Sequence, residues 1–356
     1  MATVSAARLF PASVVGSMPR PQHVRELIEK PVWRDAERRA MDDAIRYAVS
    51  LQEFAGLDIV TDGEWRRRSY IGVIAELAYG FTLELNPSDG RPWTVVTEKL
   101  APKEGGFIAA EAKFLKSVAR VGTKITLPAP ALLGERLWDA HRSSHAYPRR
   151  DDFVRDCVAP LRREIALMHA LGIDIVQIDD PHLCLFVDPA IRRNYDDPDR
   201  AADFAVDMIN ALVDGFTGIK FAVHLCRRAG ARVRGEKHHA GAYGWILPQL
   251  NRLNVQHLTM EFTVAGDDDL ESLGRLREDF ELGLGVVDVT PGVRQLPEQI
   301  VARVERALRK VHASRITLNP DCGFAPGSAA KVDLDEVYLK LRAQAQAAQM
   351  LRARYG

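Results

Sequence analysis

Short apolar runs rich in β-formers recur along the chain at residues 12–16, 58–61, 124–127, 174–178, 220–223, 257–260, 284–289 and 315–318, most ending in a polar or glycine-containing turn. Between most of them lie stretches with apolar residues at helical spacing opposite a charged face, among them 151–171, 201–216, 270–280, 299–311 and 334–352. Strand thus alternates with helix. Such alternation favours parallel strands joined by right-handed crossovers, and eight units close into an α/β fold of the TIM type, a (β/α)8 barrel. The expectation is one catalytic barrel over residues 1–356.

Two stretches break the rhythm. Residues 81–118 include FTLELNPSDGRPWTVVTEKL, which reads as two strands about a Ser-Asp-Gly-Arg-Pro turn and predicts a β-hairpin insertion after the second unit. Residues 227–248 are glycine-rich and lack a hydrophobic period, which predicts a long active-site loop between barrel strands five and six.

Charge and cysteine content then narrow the function classes. Forty-eight basic residues balance 48 acidic ones, so the chain as a whole has no electrostatic reason to seek nucleic acid or an anionic membrane. No apolar run approaches the roughly 18 residues of a membrane span, and the opening segment lacks a basic stretch followed by a clean apolar one. These features predict a cytoplasmic protein. Four cysteines, Cys157, Cys184, Cys226 and Cys322, are too few and too scattered for a disulfide framework. Cys157 lies within a helical pattern and is expected in the core.

In a barrel of this type the reactive groups sit at the C-terminal ends of the strands. Strand five ends in Val-His224-Leu-Cys226, strand six in Thr-Met-Glu261-Phe and strand eight in Leu-Asn-Pro-Asp-Cys322-Gly. Residues two apart on a strand share a face, so His224 and Cys226 project together, with Glu261 on the neighbouring strand. One imidazole, two thiolates and one carboxylate form a tetrahedral set suited to Zn2+, the sulfurs disfavouring Mg2+ or Ca2+.

The same residues carry a family resemblance. HLC at 224–226, ME at 260–261 and TLNPDCGF at 317–324 resemble the C-terminal catalytic barrel of cobalamin-independent methionine synthase. VVGSMPRP at 14–21, GLDIVTDGE at 56–64 and VQIDDP at 176–181 extend the likeness over nearly the whole chain, in the manner of the short, single-barrel members of that family. The resemblance implies that His224, Cys226, Glu261 and Cys322 ligate zinc, and that Ser17, Glu64 and Asp179 hold the amino-acid part of a homocysteine-like thiol. Physical reasoning agrees for the two carboxylates, which would be costly at a barrel mouth unless a cation such as an α-ammonium neutralised them. The competing reading for Asp179 is a salt bridge to an arginine within 66–68. With Asp179 outside the metal shell, Asp179→Asn is expected to weaken acceptor binding and keep the zinc.

The implied reaction is transfer of a methyl or alkyl group to a thiol, with Glu261 as the catalytic carboxylate that loosens to admit the incoming sulfur. The donor stays open among methylfolate, a methyl-corrinoid with a corrinoid protein as partner, and a simple methyl donor. An epoxyalkane:coenzyme M transferase, a metal-free uroporphyrinogen decarboxylase and a non-catalytic zinc-holding barrel are the alternatives. Thr290 stands where the family carries a histidine thought to handle a proton on the folate side, and a threonine hydroxyl does not titrate near neutral pH. Asp180 replaces the family's usual glutamate. In the 227–248 loop, His238 and His239 could serve a second metal or acid–base site or simply face solvent, and arginines 227, 228, 232 and 234 could meet an anionic group or solvent.

Overall fold

A computed structural model describes residues 8–86, 90–227, 239–325 and 333–356. Its strands are β1 (Ile59–Val60), β2 (Ala78–Leu85), β3 (Pro92–Pro102), β4 (Gly122–Pro128), β5 (Ile175–Asp179), β6 (Lys220–Leu225), β7 (His257–Glu261), β8 (Glu281–Val287) and β9 (Ile316–Pro320). Seven form one sheet in the order β1-β4-β5-β6-β7-β8-β9, every pairing parallel, while β2 and β3 pair only with each other. Parallel bridges Ala12↔Leu318 and Ser13↔Ile59 join the two edges of the sheet, which makes it a closed barrel of the TIM type.

The expected first strand is therefore reduced to a bridge on either side. Its next three carbonyls are taken by side chains from neighbouring strands and turns instead of by a ladder. Lys124 Nζ donates to the carbonyl of Val14, Gln177 Nε2 to that of Val15 at 3.0 Å, and Thr61 Oγ1 to that of Gly16 at 2.7 Å. All three donors are buried, so these bonds leave few of the segment's acceptors unsatisfied while holding it against the barrel mouth.

The helices wrap the sheet, with apolar faces inward and charged faces outward. Helix Pro198–Val213 starts earlier than the 201–216 pattern suggested, because Asp197 accepts the backbone N–H of Arg200 at 2.9 Å and Pro198 fits the first turn. Helix Asp267–Leu273 is shorter than the 270–280 pattern, stopping at Gly274. Cys157 is fully buried in helix Arg150–Leu171, as expected.

The hairpin insertion occupies β2 and β3, and the rest of 81–118 is a regular part of the barrel. Helix Phe107–Val118 buries Ile108, Ala112 and Leu115 on one face. The hairpin is fixed at its base by Phe81 edge-on to Phe153 at 6.1 Å and by Ser143 Oγ donating to the carbonyl of Val96 at 2.6 Å. In the 227–248 stretch, residues 228–238 lie outside the described residues, and with them Arg228, Arg232, Arg234 and His238. The described remainder ends in helical turns, Tyr243–Ile246 and Leu247–Leu250.

Candidate metal centre and acceptor site

Parallel register sets the site. Asp179 on β5 is opposite His224 on β6, and His224 is opposite Thr259 on β7. One step beyond β6, Cys226 comes beside Cys322, which follows β9, with the two sulfurs 3.5 Å apart. The ligand atoms of His224, Cys226 and Cys322 all lie within 4.8 Å of one another, and all three residues are buried.

The chemistry of these atoms suits a soft, borderline cation. His224 Nδ1 lies 3.2 Å from Asp179 Oδ1, whereas its Nε2 is buried with no hydrogen-bond partner. An imidazole held by a carboxylate on one nitrogen presents the other as a lone-pair donor, the usual arrangement of a metal-binding histidine. Burial opposes charge on His224, but the hydrogen bond it donates to Asp179 and the neighbouring Cys226 outweigh it and raise its pKa to about 9. The Cys226 thiol is also pushed up, first by its contact with Cys322 and then by burial. Two buried thiols and an imidazole so close together fit Zn2+ well.

Glu261, the fourth expected ligand, is fully buried at the end of β7 but lies outside this three-residue cluster. Its Oε2 accepts the backbone N–H of Arg227 at 3.0 Å. Tyr243, which the sequence pattern left within a featureless loop, receives the backbone N–H of Glu261 at 2.9 Å and places its ring under the Arg227 guanidinium at 4.9 Å. Arg227 also pairs with Asp269 at 2.9 Å. Tyr243 and Arg227 thus clamp the ends of β6 and β7, and Arg227 is a structural cation rather than a free anion receptor.

The acidic groups of the mouth lie close by. Glu64 follows β1 in the left-handed region, φ 60°, a strained conformation for a residue with a side chain. Its Oε1 accepts a hydrogen bond from Thr126 Oγ1 at 2.7 Å, and a Cβ at Gly16 would fall only 2.6 Å from that same oxygen and 2.8 Å from Thr126 Cγ2, so a side chain there would have to displace both groups. Burial raises the Glu64 pKa; Arg67 opposes this, Asp179 adds to it, and the Thr126 hydrogen bond lowers it. The three arginines of 66–68 are engaged away from Asp179: Arg66 with Asp42, Arg67 with Glu111, and Arg68 with the carbonyls of Ile28 and Lys30. Asp179 instead accepts from Gln177 Nε2 at 2.7 Å and faces His224.

Ser17 packs against the turn that carries Cys322. Its Oγ accepts the N–H of Ala325 at 3.3 Å, its carbonyl accepts that of Phe324 at 3.0 Å, and a Cβ at Gly323 would come within 2.2 Å of the hydroxyl. The VGS and NPDCG segments, far apart in sequence, are therefore mated surfaces. Asp180 caps helix Pro181–Leu185, accepting the N–H of Leu183 at 2.8 Å, and lies beside the site rather than in it. His239 Nδ1 sits 3.0 Å from Asp188. Thr290 is tied through its backbone, with its N–H to Asp288 at 2.8 Å and its carbonyl to Lys340 at 2.6 Å.

Comparisons with known proteins point to one family and one fold. The family described as the catalytic domain of cobalamin-independent synthase matches residues 138–350. Methionine synthase of Saccharolobus islandicus is 27% identical over 329 residues, 89% of this chain and 88% of that protein. Methionine synthase of Saccharolobus solfataricus is 26% identical over 328 residues, with the same shares of the two chains. A B12-independent methionine synthase from a Shewanella species, solved in complex with selenomethionine, superposes with a TM-score of 0.77 at 22% identity, covering 97% of this chain and 98% of that one. A methyltransferase from Methanosarcina mazei superposes at 0.57, with 14% identity over 97% and 94% of the two chains.

Proposed function

The chain belongs to the family of cobalamin-independent synthase catalytic domains and is a methionine synthase-like thiol methyltransferase; on that premise we propose that it methylates homocysteine, or a closely related amino-acid thiol, with zinc as its metal. The observation that carries the metal is the buried cluster of His224, Cys226 and Cys322 with its unpartnered imidazole nitrogen. His224 Nε2 and the two sulfurs would hold the ion, with Glu261 as its fourth ligand. Zinc bound there supplies a Lewis-acidic centre that keeps an incoming thiol deprotonated near neutral pH.

The protein's own groups do the rest. Glu64 and Asp179 offer negative charge to the acceptor's α-ammonium, and Ser17 closes the mouth beside the Cys322 turn. The sulfur's electron pair forms the new S–C bond as the donor's bond to methyl breaks. Asp179 joins both halves of the site, since the carboxylate that faces the ammonium also orients a metal-binding imidazole.

Two carboxylates at the mouth favour an amino-acid acceptor over a sulfonate thiol such as coenzyme M, which brings no ammonium to neutralise them. The neutral hydroxyl of Thr290 favours a donor whose leaving group needs no proton from that position, such as a methyl-corrinoid, over methylfolate. No helix among the described residues is long and apolar enough to cross a membrane, and we place the reaction in the cytoplasm with small molecules as its partners.

Thiol consumption by zinc-loaded protein tests this reading, with homocysteine, coenzyme M and glutathione crossed against methylcobalamin, methylfolate and an epoxide. Homocysteine with methylcobalamin is expected to give the fastest turnover. Robust turnover of homocysteine with methylfolate alone would contradict the donor assignment, and preference for coenzyme M with the epoxide would contradict the acceptor assignment.

A further inference from the structure

Glu64 does not stand alone beneath the mouth. Thr126, on β4 and 2% exposed, donates its hydroxyl proton to Glu64 Oε1 at 2.7 Å and accepts from Arg67 Nη1 at 2.9 Å. Arg67 in turn donates from Nε to Glu111 Oε2 at 2.9 Å, and this ion pair is shut off from solvent, each side chain only 1% exposed. Arg20 pins the backbone of the same turn, donating to the carbonyls of Glu64 at 2.8 Å and Arg67 at 2.6 Å. A threonine hydroxyl has one proton to give. With Arg67 occupying a lone pair, that proton is aimed at Glu64, so the direction of the chain is fixed from Glu111 outward.

We propose that Thr126 is a positioning residue, which transmits the fixed geometry of the buried Arg67–Glu111 pair to the Glu64 carboxylate and so sets recognition of the acceptor's ammonium group. The inference rests on the amino-acid thiol reading above for its consequence, but not for its geometry. Glu64 is left-handed, and so is held in place against its own backbone preference. Thr126 and Gly16 confine its carboxylate from two sides, and without the hydroxyl only the glycine side would remain. The ionisable groups that act on Glu64 include Arg67 on its own turn, Asp179 on β5, Asp62 two residues earlier, Arg20 and Tyr70. Glu111, from helix Phe107–Val118, acts on it both directly, as a like charge, and through its ion pair with Arg67. Loss of the Thr126 donor leaves the carboxylate with less stabilisation of its charged form, and its titration moves upward.

The test uses zinc-loaded full-length protein as wild type, Thr126→Val and Thr126→Ser. Calorimetry compares homocysteine with 4-mercaptobutyrate, which keeps the thiol and the carboxylate and lacks the ammonium. Thr126→Val is expected to weaken homocysteine binding about tenfold and to change mercaptobutyrate binding less than about twofold, and Thr126→Ser to restore the difference. In parallel, carbon-13 NMR of protein labelled at the glutamate carboxyls follows Glu64, its signal assigned by its loss in Glu64→Gln. The Glu64 titration is expected to move to higher pH in Thr126→Val and to return in Thr126→Ser. An unmoved titration, or equal weakening of both thiols, overturns the proposal. A titration that moves while wild type binds both thiols equally supports the positioning role and overturns the amino-acid acceptor instead.

Discussion

Asp179 Oδ1 faces His224 Nδ1 at 3.2 Å across adjacent strands, so the carboxylate proposed to meet the acceptor's ammonium also touches the imidazole of the candidate metal cluster. This changes the expectation for Asp179→Asn. An amide can present its N–H to Nδ1, which would leave the proton on Nε2, the nitrogen needed for the metal. Weakened zinc binding is therefore expected along with weakened acceptor binding, by about tenfold to a hundredfold for the metal. Competition with a chromophoric chelator measures it. Unchanged zinc affinity would show that Asp179 does not orient His224.

Gly323→Ala tests the mating of the two turns of the mouth. A Cβ there would lie 2.2 Å from Ser17 Oγ, so the serine must move. We expect a loss of about 1–3 kcal/mol in stability and a larger rise in acceptor KM than fall in kcat. Thermal unfolding and steady-state kinetics read the two effects. A variant with wild-type KM would mean that Ser17 is remote from the acceptor.

Acid should destabilise the barrel through its interior histidines. His257 is buried against Thr317, 2.8 Å from its hydroxyl, and its pKa falls to about 3, by burial first and then by Lys124 and Lys220. His182 is lowered to about 3 as well, by burial and then Arg150 and Arg136. Above the ordinary histidine value of 6.5 both states are neutral, and below it only the unfolded chain takes up the proton. Stability from each histidine is thus complete above 6.5 and is lost as the pH falls toward about 3, by up to about 1.4 kcal/mol per pH unit. Asp180 and Glu111, both raised to about 7 chiefly by burial, act in the opposite sense, so the histidine part is read by comparison. The stability gap between wild type and His257→Gln, followed by denaturant unfolding, should narrow from pH 6.5 to pH 4. A gap that does not change with pH would mean that His257 is not held neutral.

Much of this site is legible in the sequence because strand parity is. His224 and Cys226 share a face by counting two residues, and a parallel barrel brings the ends of β6, β7 and β9 to one rim. Parity does not reveal partners. That Asp179 meets His224 depends on a register between strands separated by a whole helix. That Arg67 serves Thr126 and Glu111, rather than Asp179, depends on the tight turn after β1. Tyr243 lies in a stretch without periodicity, where its role as a clamp on Glu261 comes from tertiary contact alone. The hairpin is shorter than the irregular 81–118 stretch because FIAAEAKFLKSV, at its end, has helical spacing of its own.

The most direct test of the account is the metal content of the purified protein and of Cys322→Ser, measured by mass spectrometry of the elements together with thiol methylation. About one zinc per chain is expected in wild type, and loss of both zinc and activity in the variant. Full zinc retention by Cys322→Ser, or active wild-type protein without zinc, would contradict it.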